Sequence, residues 1–375
     1  MNVTSSPLQQ RERIDRLRLI RSENIGPVTY RQLINRYETA TRALEALPDL
    51  ARRGGRNRPL RIAAVADAER EIAAIENLGG RHLFLGEPDY PFPLANIPDA
   101  PPALTVLGNS KVLAKPAIGI VGARNASTNG RRFAESLARK LAEAGIVITS
   151  GLARGIDTAA HKGGLTGETV AVLAGGADIV YPKENQALYE AILENGAVVS
   201  EMPPGTEPIA RHFPSRNRII SGLSSGIAVI EAALRSGSLI TARLAGEQGR
   251  DVFAVPGFPV DPRAKGTNNL IRNGAILLES ADDIIESLNR SGGALLREPP
   301  AAEFQGPLPD TTSDQVTGGE SQEIIDCLGH VPVAVDEIIR DSRQPPAVVW
   351  TVLLELEIAG RLERLPGNRV TLIEP

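Results

Sequence analysis

Apolar and charged positions alternate at helical spacing near the start of the chain. Ile14, Leu17, Leu19 and Ile20 mark one run, and Leu33, Ile34 and Tyr37 the next, with Asn24-Ile25-Gly26-Pro27 between them. This spacing predicts a small helical unit over residues 8–47. A break is expected from Pro48 to Pro59, through Arg52-Arg53-Gly54-Gly55-Arg56, before an amphipathic run from Ile62 to Leu78 and a proline-rich stretch from Pro88 to Pro102. From about Ala117 the pattern changes to seven short β-branched runs: AIGIVG (117–122), GIVITSG (145–151), ETVAVLAGG (168–176), GAVVSE (196–201), GIAVIEA (226–232), DVFAVPG (251–257) and GAILLES (274–280). Each precedes a helical period. Their hydrophobicity is continuous rather than alternating, so both faces of each strand are expected to be covered, as in a parallel sheet between helix layers. The fold class is therefore α/β, with a doubly wound parallel sheet from about 113 to 290. Residues 291–320, rich in Pro, Gly and small polar residues, have the composition of a linker. After them come a helix at 323–328, a helix at 335–340, a turn at Pro345-Pro346, a longer helix at 347–359 and two strands around Pro366-Gly367-Asn368, the order of a winged helix.

Composition narrows the function. The 375 residues carry 41 basic and 45 acidic side chains, a net charge of −4. That balance argues against a protein that coats duplexes over its whole surface, so any nucleic-acid site must be local. The single cysteine, Cys327, excludes intramolecular disulfides, and the opening MNVTSSPLQQRER has no apolar core of a secretory signal. No apolar run approaches the ~18 residues of a membrane span. A cytoplasmic, soluble protein is expected.

In an open parallel sheet, ligands bind beyond the carboxyl ends of the strands. The loop after the first run, Gly122 to Gly130, offers small residues at a helix start and Arg124 as a bidentate phosphate ligand. Arg124 also stands where a dinucleotide fingerprint requires Gly, so this is no such fingerprint. In His212-Phe213-Pro214-Ser215-Arg216-Asn217-Arg218-Ile219-Ile220-Ser221-Gly222, Pro214 suits the first helical position and Gly222 the C-terminal stop, placing two arginines at the positive end of the helix dipole. A bound anion would relieve that repulsion. Ser238 is a candidate cap for the next helix. Between 208 and 243, Arg211, Arg216, Arg218, Arg235 and Arg243 face one acid, Glu231. Such a patch tracks a phosphate backbone with little base specificity, and Phe213 is either a stacking platform or a core residue.

Asp157 and His161, four apart, are a candidate proton-transfer pair or, alternatively, a helix cap and a packed side chain. Glu201 is read as fixing a loop rather than as a base. There is no His-x-x-x-His, Cys-x-x-Cys or P-loop motif, and no metal or cofactor is expected. The helix at 347–359 lacks Arg, Lys, Asn and Gln, so base reading by the winged helix is disfavoured. Ile25-Gly26-Pro27-Val28-Thr29-Tyr30 resembles the hairpin of helix-hairpin-helix units, either meeting phosphate or packing helices together.

The sequence closely resembles the DprA/Smf DNA-processing family at Val121-Gly122-Ala123-Arg124, Ser150 to His161, Tyr181-Pro182-Lys183-Glu184-Asn185, His212 to Leu223 and Ser236 to Ala242. The resemblance covers most of the chain. It implies an N-terminal sterile-alpha-motif-like helical domain (1–80), an extended Rossmann-like domain (81–290) and, after the 291–320 linker, a winged helix (321–375). It implies a non-enzymatic binder of single-stranded DNA in natural transformation, a homodimer that loads RecA. The family's DNA pocket maps onto Gly122, Ala123, Arg124, Phe213, Arg216, Asn217, Arg218, Ser236, Gly237 and Ser238. Arg211 supplies the charge that relatives often place just before the Phe-Pro pair, and Ala123 replaces a common Ser. The family's dimer contact points to Leu270, Ile271, Ile276 and Leu277. A nucleotide phosphoribohydrolase-like enzyme is the alternative, although Arg235 to Thr241 stands where its Pro-Gly-Gly-x-Gly-Thr loop would be.

Overall fold

The computed structural model describes residues 7–292, 318–365 and 367–373. The chain contacts divide into two units, Met1–Glu69 with Arg297–Pro375, and Arg70–Leu296. The first unit begins with α1 (Pro7–Arg21), α2 (Pro27–Tyr37) and α3 (Ala40–Arg53). Thr39 caps α3 by accepting from the Arg42 amide at 3.3 Å. The helix does not stop at Pro48, as its sequence predicts, but runs on to Arg53. Leu44, Leu47, Leu50 and Ala51 are all buried in one core with Leu19 and Leu33, and that burial outweighs the single backbone hydrogen bond that proline forgoes. Helix α4 (Val65–Asn77) follows.

In the second unit the elements run β1 (Arg81–Phe84), α5 (Phe92–Ala95), β2 (Ala103–Gly108), β3 (Ala117–Gly122), α6 (Thr128–Glu143), β4 (Val147–Ser150), α7 (Ile156–Gly164), β5 (Thr169–Val172), α8 (Gln186–Asn195) and β6 (Ala197–Ser200). They continue as α9 (His212–Leu223), β7 (Gly226–Ile230), α10 (Gly237–Glu247), β8 (Asp251–Ala254), α11 (Lys265–Arg272), β9 (Ile276–Leu277) and α12 (Ala281–Gly292). All seven apolar runs form strands. The sheet order is β1-β2-β6-β5-β4-β3-β7-β8-β9. From β6 to β9 every pairing is parallel, while β2 joins β6 antiparallel and β1 joins β2 likewise. Strands β1 and β2 extend the doubly wound core beyond what the hydrophobic pattern reveals.

Side chains alternate between two cores. Val121, Val172, Ile220 and Val229 lie in one, and Ile118, Ile120, Leu137, Ile148, Ala228 and Phe253 in the other. The chain leaves β3 toward β4 on one side, and returns as β7 on the other, paired from Ile118↔Gly226 to Gly122↔Ile230. The strand order therefore reverses between β3 and β7, opening a crevice at their carboxyl ends.

The first unit is completed by α13 (Gly318–Asp326), β10 (Val333–Ala334), α14 (Val335–Ser342), α15 (Pro346–Ile358), β11 (Leu362–Leu365) and β12 (Arg369–Leu372), with sheet order β10-β12-β11. Helix α15 is buried on two faces. Val349, Val352, Leu353 and Leu356 pack inside the winged helix, whereas Leu354 and Ile358 join the α1–α3 core. Double burial explains why this helix is apolar almost all round. The expected 291–320 linker lies, apart from its ends, outside the described residues. Among them, no helix is long and apolar enough to cross a membrane.

Candidate nucleic-acid interface

A cavity of about 1000 Å³ occupies the β3/β7 crevice. It is lined by the loop after β3, the start of α9, the start of α10 and the Asp261–Arg263 turn. Gly122 is required at its floor, because a Cβ there would fall 1.9 Å from the Ile230 carbonyl oxygen. Gly122, Ala123, Arg124, Phe213, Arg216, Asn217, Ser236, Gly237 and Ser238 all line this cavity. The fold brings these residues together from three segments of the chain.

Their chemistry divides them. Arg124 is exposed, and its guanidinium lies over the Phe213 ring, 5.1 Å from the centroid. The ring of Tyr181, itself half exposed, approaches Phe213 edge-on at 5.9 Å. Tyr181 and Pro182 line a second cavity of about 330 Å³ that shares Arg124, Asn125, Ala153 and Phe213 with the first. The aromatic platform is thus larger than Phe213 alone. The Tyr-Pro-Lys-Glu-Asn motif was visible, but nothing in the sequence places it beside Phe213.

Arg216 turns inward. Its Nη1 donates to the Val172 carbonyl at 2.9 Å, and it packs so tightly on Gly151 that a Cβ there would lie 1.6 Å from Nη1. Burial lowers its pKa to about 10, against the favourable charge of Asp157, so it remains a cation at neutral pH. Arg218 does not line the cavity. Its Nη2 donates to both Glu201 carboxylate oxygens at 2.7 and 2.6 Å, and its Nε lies 3.3 Å from Asp99. These contacts correct the expectation of an open phosphate ligand. Glu201 accordingly fixes this contact.

The reason is register. Helix α9 starts at His212, so Pro214 is its third residue rather than its first, and Arg216 and Arg218 fall beyond the first turn with buried side chains. The helix also passes Gly222 and ends at Leu223. Arg211 is exposed at the N-cap but outside the cavity lining. Arg243 pairs with Glu247 at 2.7 Å.

The N-terminus of α6 is also not open for an anion. Ser127 caps it, accepting from the Gly130 amide at 2.9 Å, and the Glu231 carboxylate accepts from the Ser127 amide at 2.8 Å and from its hydroxyl. Glu231, at φ 53°, is an internal substitute for a bound anion there. Helix α10 is different. Its first turn holds no acid, and Ser236, Gly237 and Ser238 face the cavity. The Ser236 side chain accepts from the Ser238 amide at 3.4 Å, and Asn217 ties α9 to this turn by donating to the Gly237 carbonyl at 3.4 Å.

Four arginines line the cavity: Arg124, Arg216, Arg235 and Arg263. Arg216 is countered by Asp157, and Arg263 is held by Asp261 through contacts of 3.1 and 2.9 Å. Arg124 and Arg235 form no close ion pair among the described residues, although the charge of Arg124 is felt by the buried Asp157 carboxyl. Arg263 escaped the sequence reading because it lies beyond the patch around the Phe-Pro pair.

Asp157 and His161 are not poised for proton transfer. Asp157 accepts from the Gly151 amide at 3.1 Å, and burial raises its pKa. His161 is fully buried with Nδ1 2.7 Å from the Thr169 hydroxyl, and burial together with the charge of Arg216 holds its pKa at about 3. At the far sheet edge, β9 carries Leu277, 43 % exposed, while Leu270 and Ile276 pack partly against the cores. Ile271 is half-buried.

Three family models match the chain: DNA recombination-mediator protein A over residues 81–289, a DprA-like N-terminal HHH domain over 10–74 and a DprA winged helix domain over 308–368. The chain belongs to the DprA/Smf family. The N-terminal match is described as an HHH domain, and its span, residues 10–74, includes the hairpin at Ile25–Tyr30. Protein Smf of Escherichia coli is 42 % identical over 286 residues, covering 76 % of this chain and 75 % of that one. DNA processing protein DprA of Streptococcus pneumoniae is 46 % identical over 198 residues, covering 52 % and 70 %. The X-ray structure of the pneumococcal DprA superposes with TM-score 0.63 at 37 % identity, over 73 % of this chain and 96 % of that one. DNA processing protein A from Helicobacter pylori, solved to study its single-stranded DNA binding mode, gives TM-score 0.52 at 30 % identity, over 56 % and 96 %.

Proposed function

We propose that this chain binds single-stranded DNA along its phosphate backbone in the β3/β7 cavity, and acts as a non-catalytic recombination mediator that hands the strand to RecA in natural transformation. The observation that carries the reading is that Arg124 and Arg235, neither of which forms a close ion pair among the described residues, line the same cavity as the acid-free start of α10. A phosphate between them would receive charge from both sides and amide hydrogens from the helix start. Arg124 on Phe213, with Tyr181 alongside, adds a surface on which an unpaired base stacks. Family membership, and the single-stranded DNA binding studied in the Helicobacter pylori protein, support the same ligand.

The engaged state of Asp157, His161 and Arg216 favours binding over the phosphoribohydrolase alternative, because His161 is fully buried and the other two, although they line the cavity, already hold internal hydrogen bonds. Self-association through the β9 edge and α11, with Ile271 and Leu277, belongs to this reading, as does a cytoplasmic location. The test is fluorescence anisotropy with oligo-dT, comparing wild type with Arg124→Ala. Loss of a charged contact and a stacking partner together should weaken binding by about tenfold. Unchanged affinity contradicts the assignment of the cavity.

A further inference from the structure

The loop that follows β8 holds an aromatic side chain out in solvent. In Pro256-Gly257-Phe258-Pro259-Val260-Asp261-Pro262, Phe258 is 72 % exposed and Val260 73 %. The loop is nevertheless firmly built. Its prolines, at every third position, fix φ. Asn268 of α11 clamps Gly257 through both ends of its carboxamide: Oδ1 accepts from the Gly257 amide at 3.0 Å, and Nδ2 donates to the Gly257 carbonyl at 2.9 Å. A Cβ on Gly257 would lie 2.6 Å from that of Ala264, so the backbone lies close against the start of α11. The Asp261 amide closes a turn on the Phe258 carbonyl at 2.9 Å. The Asp261 carboxylate in turn accepts from the Arg263 amide at 2.9 Å and from its guanidinium. A ligand that docks on Phe258 therefore has no loop to order first.

Phe258 lines a further cavity of about 430 Å³, between the start of α6, the end of β7 and this loop. Phe133 and Val255 line it too, and both pack against the sheet core that holds Ile120 and Phe253. This cavity shares Asp261 and Arg263 with the β3/β7 cavity, just as the Tyr181 cavity shares Arg124 and Phe213 with it. The three therefore adjoin, and each outer one carries aromatic side chains. We propose that the Phe258 cavity is an additional subsite for the single strand, one that takes a base rather than a phosphate, with Phe258 as the stacking platform. The inference rests on the reading of the β3/β7 cavity as the single-strand site. Charge decides which part of the strand enters. Glu231 and Asp261 line the cavity against one cation, Arg263, which Asp261 already holds. A phosphate is repelled there, whereas a neutral base is not. The apolar remainder, Phe133, Val255 and Phe258, gives that base a surface to stack on. Continuity with the strand's own cavity through Asp261 and Arg263 favours DNA over a second copy of the chain as the occupant.

The test uses the full chain and fluorescence anisotropy with oligo-dT of increasing length, over a range of salt, for wild type, Phe258→Ala, Phe258→Trp and Arg124→Ala. Phe258 is exposed, so its substitution removes no core packing. Phe258→Ala should weaken the binding of long oligo-dT about fivefold or more, the loss of one base–aromatic stack. Its log–log salt slope should stay that of wild type, because no phosphate contact is lost. Phe258→Trp should retain the affinity, and oligonucleotides too short to reach past the β3/β7 cavity should bind wild type and Phe258→Ala alike. If Phe258→Ala binds long oligo-dT as wild type does while Arg124→Ala binds it weakly, the subsite is overturned and the β3/β7 reading stands. If neither variant differs from wild type, both are overturned. A slope flattened by about 0.7 in Phe258→Ala would make the contact one to phosphate and overturn the base subsite. So would a lower molar mass of Phe258→Ala in light scattering without DNA, which would assign the loop to a second copy of the chain.

Discussion

Two arginines two residues apart in one motif have opposite fates from a third in the neighbouring loop. Arg216 and Arg218 are buried, the latter between Glu201 and Asp99, while Arg124 is open on Phe213. Arg218→Ala would remove the buried cation that faces the partly buried Glu201 carboxylate, and should destabilise the domain by about 3 kcal/mol in urea unfolding. A change below about 0.5 kcal/mol would place that pair in effectively open solvent. The sequence showed the positive charge but not its partners, because Glu201 and Asp99 come from other segments of the chain and meet it only in the fold. His161 gives a pH signature. Its folded pKa of about 3 lies below its ordinary 6.5, so the unfolded chain takes up a proton that the folded one refuses. That contribution to stability is whole above pH 6.5 and is lost as pH falls toward 3, by up to about 1.4 kcal/mol per unit. Asp157, raised by burial, acts in the opposite sense. His161→Gln should therefore lose less stability than wild type between neutral and acidic pH in matched urea titrations, and equal losses would contradict the burial argument.

At the scale of elements, the seven strands of the parallel sheet are legible because each writes an unbroken apolar run, buried almost throughout in β3 to β7, less so in β8, and partly exposed at Leu277 in the edge strand β9. Strand β1 is not: it is four residues long, and His82, buried in it, breaks the apolar pattern. Pro48 misled the reading of α3 because propensity is local, whereas the Leu44–Leu47–Leu50 face is held by tertiary packing. Pro48 is exposed, so Pro48→Ala should restore a backbone hydrogen bond without disturbing the core, raising stability by about 1–2 kcal/mol. No gain in the unfolding free energy would mean that the helix has already adapted to the missing donor. The candidate site was legible as a set of loops, since the topology sends Gly122–Arg124 and Ser236–Ser238 to the same ends of β3 and β7. The sequence places the start of α9 at Pro214, two residues after its actual start at His212, and that offset decides which arginines point into the pocket.

At the scale of the molecule, the terminal segments share a unit although more than two hundred residues separate them in sequence. The sequence read them as separate domains, because α15 shows its apolar residues without showing that two partners divide them. Leu354→Ala with Ile358→Ala removes the α15 side chains that enter the α1–α3 core, and should raise amide exchange across α2 and α3. Unchanged exchange there would mean that the core closes without α15. In the second unit, the proposed function has Arg124 and Arg235 holding a flexible strand by its phosphates in the crevice where the sheet reverses. Its most direct test is the salt dependence of oligo-dT binding by wild type and by Arg124→Ala with Arg235→Ala. The double variant should bind weakly at every salt concentration, with a log–log slope shallower by about 1.4, since each lost single-strand contact contributes about 0.7. Equal slopes and equal affinities for the two proteins would contradict it.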